Sequence, residues 1–196
     1  DAQRGRIGAE GIVERAIELR PLLIEQAPET EARRYYSEEI HRAFDEAGFY
    51  RSLIPRRYGG LELDITTWLR LILEVAHGDI QAGWCLTLAA GHALQVASYY
   101  EQQAQDEIFG DGDFRAAAVA APLGNARKVD GGWRVTGAWP YSSGAPYSTH
   151  YFGQTLIKAD DAPPRMMLFV AERSQWEMLE DWGDLLGLKG SGSHTV

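Results

Sequence analysis

The strongest constraint on the fold is a change in hydrophobic pattern near residue 113. Before it, apolar residues recur three or four positions apart, as in Ile12, Ala16 and Leu19, with charged residues between them. This spacing puts them on one face of an amphipathic helix. After it, short apolar runs are separated by Gly, Pro, Asp and Asn, as in strands joined by turns. The sequence therefore predicts an α+β fold, with a helical domain at residues 1–113 and a β domain at 114–196.

Individual residues mark the expected helix ends. Ser37 is a suitable N-cap for "EEIHRAFDEA", and Gly48 is a suitable stop because glycine readily adopts the left-handed conformation. Asp64 or Thr66 is expected to open a later helix. Pro21 lies inside the first helical pattern, where its missing N–H predicts a kink or a break.

The β domain is expected to be a small antiparallel barrel or sandwich. Asp130 and the two glycines after it separate "ARKV" from "WRVTG", which is a strong hairpin signal. Short strands at regular spacing are typical of such folds. The expected strand segments are "FRAAAVAAP", the hairpin "ARKVDGGWRVTGAW", "THYFGQTLIKA", "RMMLFVAER" and "WEMLEDW".

Composition argues against several classes of function. The net charge of -9 argues against nucleic acid as the main partner, and the basic stretch "IPRRYGG" fits a solvated turn better than a phosphate site. The single Cys85 cannot form an internal disulfide, and no paired Cys/His spacing predicts a metal site. No apolar run approaches the roughly 20 residues that span a bilayer, and no signal peptide opens the chain. We therefore expect no membrane partner and a cytoplasmic location.

The stretch "GGWRVTGAWPYSSGAPYSTHYFGQTLI" concentrates aromatic and hydroxyl side chains where a plain turn would be enough. From the residues alone, Trp139 and Tyr141 are most simply inward-facing core residues of the β domain. The alternative is that they form a flat apolar wall for a ligand, with the neighbouring serines as hydrogen-bond partners.

These stretches resemble the acyl-CoA dehydrogenase superfamily, in particular its flavin-dependent monooxygenase branch. The resemblance runs from about residue 35 to 196 and is carried by "AGFYRSLIPRRYGGLEL", "GDIQAGWCLTLAAGHALQ", "AAPLGNARKVDGGWRVTGAWPYSSGA" and "DLLGLKGSGSHTV". Dehydrogenases of the family usually have W-I-T-N where this chain has Y-S-S-G, and T-E-P where it has Ala120, Ala121 and Pro122. The family adds a C-terminal four-helix bundle that drives tetramer formation, and we expect no such bundle within residues 1–196.

The resemblance also implies a flavin site. Tyr141 stands where dehydrogenases place the Trp that packs on the flavin ring, and Ser143 where they place the Thr that bonds the central-ring nitrogen. Ser142 is expected to face the other way, because side chains alternate along a strand. The cofactor-binding residues that the resemblance implies are Tyr141, Ser143, Gly144, Ala120 and Pro122.

His92 is the second catalytic candidate, beside Ser143. It follows Trp84 by about two helical turns on an apolar helix, so both side chains point to roughly the same side. By resemblance His92 borders the substrate and can take a phenolic proton. The alternatives are a histidine satisfied at a helix interface and, for Trp84, a core residue. Among the other histidines, His77 is expected at a helix C-terminus, His41 on the surface, and His150 and His194 near the site.

The function implied by the resemblance is the oxygenase component of a two-component monooxygenase. Such a protein takes reduced flavin, FMN or FAD, from a flavin reductase and uses dioxygen to oxygenate a small organic substrate, aromatic in many relatives. A homotetramer is the assembly expected from the family. The alternatives are an acyl-CoA dehydrogenase or oxidase, and a non-catalytic assembly module of the same fold.

Overall fold

A computed structural model describes residues 8–110, 112–159, 162–183 and 185–196. Within these residues, five α-helices precede five β-strands, as the change in hydrophobic pattern predicts. The helices are α1 (Ala9–Arg33), α2 (Glu38–Ala47), α3 (Ile65–Gly78), α4 (Ile80–Tyr99) and α5 (Gln102–Phe109). The strands are β1 (Ala116–Pro122), β2 (Asn125–Val129), β3 (Gly132–Thr136), β4 (His150–Ala159) and β5 (Ala162–Glu172).

The helix ends confirm the capping predictions. The Ser37 hydroxyl accepts a hydrogen bond from the Ile40 N–H at 3.2 Å, and Gly48 ends α2 with a φ of 81°. Asp64, rather than Thr66, caps α3, accepting from the Thr67 N–H at 3.0 Å. These are local interactions, so the sequence alone locates them.

Helix α1 is continuous through Pro21, so the expected break is wrong. Proline removes one backbone hydrogen bond, but the surrounding turns are held by burial of Ile12, Ala16 and Leu23 in the helical core. A side chain at Gly78 would lie 2.7 Å from the Leu23 Cβ, which shows how closely the end of α3 approaches α1.

The sheet is mixed, which corrects the antiparallel prediction. Strand β4 pairs in parallel with β1 and with β2, and antiparallel with β5, while β2 and β3 form the predicted hairpin around Asp130 and Gly131. β1 and β4 run the same way because the chain between them passes through that hairpin and a long turn, which is the crossover that parallel pairing needs. "WEMLEDW" forms no regular strand and contributes a single bridge, between Leu179 and Thr195.

Two buried clusters pack on the two faces of the sheet. One joins the sheet to the helices, and the other covers the opposite face. The first contains Ala93 and Val96 of α4 together with Ala116 and Phe152 of the sheet, so it crosses the predicted domain boundary at residue 113. The second, on the opposite face, includes Trp139 and Tyr151. In the part of the chain that the structure describes, no helix is both long and apolar enough to cross a membrane.

Candidate active site

The candidate site is built on a turn, residues 139–148, that is braced by the last residues of the chain. Ser142 N–H donates to the His194 carbonyl at 3.1 Å, and Gly144 N–H donates to the Ser191 carbonyl at 2.8 Å. Tyr141 has a φ of 64° and Gly144 a φ of 77°, so this stretch is not an extended strand. The backbone bonds to residues 191–196 therefore hold its side chains in place.

Ser142 was expected to face away from Ser143 because side chains alternate along a strand, but the two serines lie in a turn. The side chain of Ser142 is fully buried, and its hydroxyl donates to the Trp139 carbonyl at 2.8 Å and lies 3.4 Å from the Tyr151 hydroxyl. Ser143 points instead toward α4. The turn, not an alternating strand, separates the two hydroxyls.

The Ser143 hydroxyl lies at the centre of a polar network. It accepts a hydrogen bond from Trp84 Nε1 at 3.1 Å and lies 2.7 Å from the Ser193 hydroxyl. The Ser193 hydroxyl in turn lies 2.6 Å from that of Ser191. Sequence reasoning selected Ser143 and Trp84 separately but missed both later serines, although the quoted stretch "GSGSHTV" contained them.

Trp84 is not a core residue. Trp84 lies on α4 and is 43% exposed, and its indole N–H donates to the Ser143 hydroxyl. The exposed part of its ring leaves it available to contact a ligand beside Ser143. The alternative that Trp84 is a core residue is therefore wrong.

Tyr141 is also at the surface and not in the core. It is 64% exposed, and its ring meets the ring of Trp182 edge-on, with centroids 5.8 Å apart. The Trp182 indole N–H donates to the Lys189 carbonyl at 2.7 Å, which fixes that ring. Trp182 is a third residue that sequence reasoning missed, after Ser191 and Ser193. Trp139, by contrast, is buried, as the simpler interpretation predicted.

His92 is buried where α4 meets the sheet. Its Nδ1 lies 2.7 Å from the Ala116 carbonyl, and because a carbonyl can only accept, Nδ1 carries the hydrogen. In the neutral ring this leaves the lone pair on Nε2. The ring stacks on Phe152 with centroids 5.5 Å apart, and burial lowers the pKa of His92 below its usual value.

The lowered pKa of His92 predicts a loss of stability in acid. The unfolded chain, with an ordinary histidine pKa near 6.5, binds more protons than the folded one as pH falls below that value, so stability falls with it. His92→Asn, whose amide can still donate to Ala116, should reduce this loss. The urea midpoints of both proteins at about pH 7.5 and about pH 5.5 measure it.

Part of the acid sensitivity should remain in that variant, because burial also lowers the pKa of His41 and His194. The explanation fails if His92→Asn loses as much stability between the two pH values as the parent.

Three other histidines also differ in environment. His41 is half-buried and not a surface residue: its ring stacks on Tyr147 at 4.2 Å, and its Nδ1 lies 2.8 Å from the Tyr50 hydroxyl. His194 Nδ1 accepts from the Trp182 backbone N–H at 3.2 Å, beside the turn. His150 is buried next to Phe114, at 5.0 Å.

The remaining predicted contact residues flank the same seam between helices and sheet. Ala120 and Pro122 are exposed on β1, the strand whose Ala116 carbonyl binds His92. A side chain at Gly144 would make only an ordinary contact with Cys85 Cβ, at 3.8 Å, so it is the φ of 77° that favours glycine at this position of the turn. Helix α4 thus links Trp84, the turn and His92.

A large cavity lies elsewhere in the described part of the chain. It has a volume of about 1090 Å³ and is lined by residues on the other face of the sheet, among them Trp133, Trp139, Tyr151, Phe169 and Trp176. Neither Ser143 nor His92 borders it. Among the described residues, no group of three or more His, Cys, Asp or Glu side chains is arranged to hold a metal ion.

Comparison with known proteins identifies the family. Residues 18–108 match the acyl-CoA dehydrogenase N-terminal domain. The chain is 33% identical over 180 residues to the oxygenase subunit HsaA of a flavin-dependent monooxygenase from Rhodococcus jostii, a match that covers 91% of this chain and 46% of that protein. Residues 18–108 thus form an acyl-CoA dehydrogenase N-terminal domain.

Solved structures in the superfamily agree with this assignment. The HsaA monooxygenase of M. tuberculosis superposes with a TM-score of 0.89 at 30% identity, covering 96% of this chain and 49% of that one. XiaF from Streptomyces, solved with FADH2 and glycerol, superposes with a TM-score of 0.88 at 27% identity, covering 95% and 47%. The chain thus spans about half the length of these relatives.

Proposed function

We propose that the chain is part of a flavin-dependent monooxygenase, the oxygenase component of a two-component system. The observation that carries the proposal is the Ser143 hydroxyl, oriented by Trp84 and Ser193 in the same turn as Tyr141, whose ring is exposed. The similarity to HsaA, whose name records a flavin-dependent oxygenase subunit, supports it. So does XiaF, which was solved with FADH2.

The side chains at this turn fit a flavin ring. A flavin needs a flat apolar wall and a few placed polar partners. The exposed ring of Tyr141 can supply the wall, and the Ser143 hydroxyl can bond the central-ring nitrogen. Gly144, Ala120 and Pro122 would border the ring, where their small or rigid side chains allow close approach.

Reduced flavin, delivered by a flavin reductase, supplies the two electrons for the reaction. One atom of dioxygen enters the substrate and the other leaves as water, while the flavin is oxidised. Without transfer to the substrate, the same electrons reduce dioxygen to hydrogen peroxide. This chain's residues must therefore exclude water and hold the ring nitrogen in a hydrogen bond.

His92 is proposed to contact the substrate, together with Trp84. Because its Nδ1 donates to Ala116, its neutral ring presents Nε2 as an acceptor, and the lowered pKa keeps the ring neutral near pH 7. A neutral imidazole in that state can take the proton of a phenol and make the aromatic ring more nucleophilic. A small aromatic substrate with an ionisable hydroxyl fits this chemistry.

A homo-oligomer, a tetramer by analogy with the family, is part of the same proposal, as is a cytoplasmic location beside the reductase. Ile65, Leu69 and Leu73 lie one turn apart on α3, and each is about half exposed, at 47%, 48% and 57%. Such an apolar stripe is suited to contact with further protein rather than with water.

The test uses full-length protein loaded with FAD. A dehydrogenase bleaches when an acyl-CoA such as butyryl-CoA is added without oxygen, so we expect no bleaching. With FADH2, ¹⁸O₂ and a panel of simple phenols, we expect one ¹⁸O atom in a product, detected by mass spectrometry. Bleaching by the acyl-CoA would favour the dehydrogenase, and failure to bind flavin in either redox state would favour an assembly module.

A further inference from the structure

Three buried serines form a continuous chain of hydroxyls that ends at the proposed flavin contact. The Oγ atoms of Ser143 and Ser193 are 2.7 Å apart, and those of Ser193 and Ser191 are 2.6 Å apart. Their exposures are 7%, 5% and 1% respectively, so the chain is withdrawn from water. We call Ser143, Ser193 and Ser191 the serine relay.

The hydrogen bonds of the serine relay can run in either direction, because either oxygen of each pair can be the donor. Trp84 Nε1 can only donate, so it occupies one lone pair of the Ser143 oxygen. If Ser193 donates to Ser143, the Ser143 hydrogen is free to point at a ligand atom that accepts. If Ser143 donates to Ser193, and Ser193 to Ser191, one lone pair of Ser143 remains for a ligand N–H.

The backbone around Ser191 fixes the geometry of the relay. The Ser191 carbonyl accepts from the Gly144 N–H at 2.8 Å and from the Cys85 thiol at 3.2 Å, which ties it to the turn and to α4. The next residue, Gly192, donates its N–H to the Arg34 carbonyl at 2.7 Å, just after α1. Three separate parts of the fold thus hold the two outer hydroxyls at a set distance from Ser143.

We infer that Ser193 is a positioning residue for the flavin site, acting through Ser143. The inference rests on the proposed function, because it assumes that Ser143 contacts the flavin. Oxidised flavin presents a bare central-ring nitrogen and reduced flavin presents an N–H. Ser193 lets one serine serve both forms, because it can give a hydrogen to Ser143 or take one from it. A hydroxyl that is already oriented loses less entropy when the ring binds.

The test is a double-mutant cycle on FAD affinity in the full-length protein. Ser193→Ala should weaken binding of oxidised and of reduced FAD by about two- to tenfold, the value of one neutral hydrogen bond. In a Ser143→Ala background, Ser193→Ala should change neither affinity. Flavin fluorescence gives the oxidised constant, and anaerobic titration gives the reduced one.

Ser191→Ala provides a second, milder variant should Ser193→Ala fail to fold. It leaves the bond between Ser143 and Ser193 in place, so its effect should be smaller and should likewise vanish in the Ser143→Ala background. Equal losses with and without Ser143 would show that the outer serines act only on the fold, which would overturn the inference and leave the proposed function standing. If the parent binds neither form of FAD, both fall together.

Discussion

Trp139→Ala should lower the free energy of unfolding by about 3–5 kcal/mol, the usual cost of deleting a large buried aromatic side chain. Trp139 is 5% exposed, and its ring centroid lies 5.4 Å from that of Phe169 and 5.6 Å from that of Tyr151. Its indole N–H also donates to the Gln154 carbonyl at 2.9 Å, and that partner would lose its bond. Urea denaturation measures the loss.

Two exposed aromatics serve as controls for this prediction. Trp133 lies on the same sheet and is 45% exposed, so Trp133→Ala should cost well under half as much. Tyr141→Ala should change stability by less than about 0.5 kcal/mol, since its ring is mostly in solvent, and should instead weaken flavin binding. If Tyr141→Ala is as destabilising as Trp139→Ala, the division between core and site aromatics is wrong.

Local signals in the sequence predicted local structure well. Ser37, Gly48 and Asp64 mark helix ends because a cap involves atoms within one helical turn. The loop of Asp130 and Gly131 marks a hairpin because Gly131, with a φ of 78°, adopts the left-handed conformation at the second position of the loop. In each of these cases the determining residues are neighbours in the chain.

The sequence did not predict which strands of the sheet pair when they are far apart in the chain. The parallel contact of Ala116 with His150 joins strands separated by a complete hairpin, and no feature of either strand specifies it. An antiparallel barrel or sandwich was predicted from short strands at regular spacing, but β4 pairs in parallel with β1 and β2, and antiparallel only with its neighbour β5.

In the candidate site, too, contacts between residues distant in the sequence were not predicted. Ser143, Tyr141 and His92 were selected through a family resemblance, but the bond from Trp84 to Ser143 spans 59 positions and the contact with Ser193 spans 50. A core position was the alternative for Trp84, which is exposed, and His41 was expected on the surface but is half-buried. Neither environment could be predicted reliably, because burial depends on neighbours from other elements. An aromatic residue on a helix does not reveal which face the rest of the chain will cover.

Ser143→Ala should make the enzyme release hydrogen peroxide at the expense of product. The alanine removes the hydroxyl proposed to hold the ring nitrogen, and an unsatisfied buried partner costs about 1–3 kcal/mol. Since 1.4 kcal/mol corresponds to about tenfold in rate, the ratio of peroxide to oxygenated product should rise about tenfold. Peroxide and product measured per FADH2 oxidised give this ratio directly.

The matched control is Ser148→Ala. Ser148 is a buried serine in the same turn, 5% exposed, whose hydroxyl donates to the Gly144 carbonyl at 3.0 Å. Ser148→Ala removes one buried hydrogen bond from the same turn, whereas Ser143→Ala removes those to Trp84 and Ser193. Ser148 has no proposed contact with the ring, so the ratio should stay near the parent value. Ser142→Ala is unsuitable, because its hydroxyl bonds the Trp139 carbonyl and its loss should affect folding. Should Ser148→Ala uncouple the reaction as strongly as Ser143→Ala, the effect would come from loosening the turn, and Ser143 would lose its assignment to the flavin nitrogen.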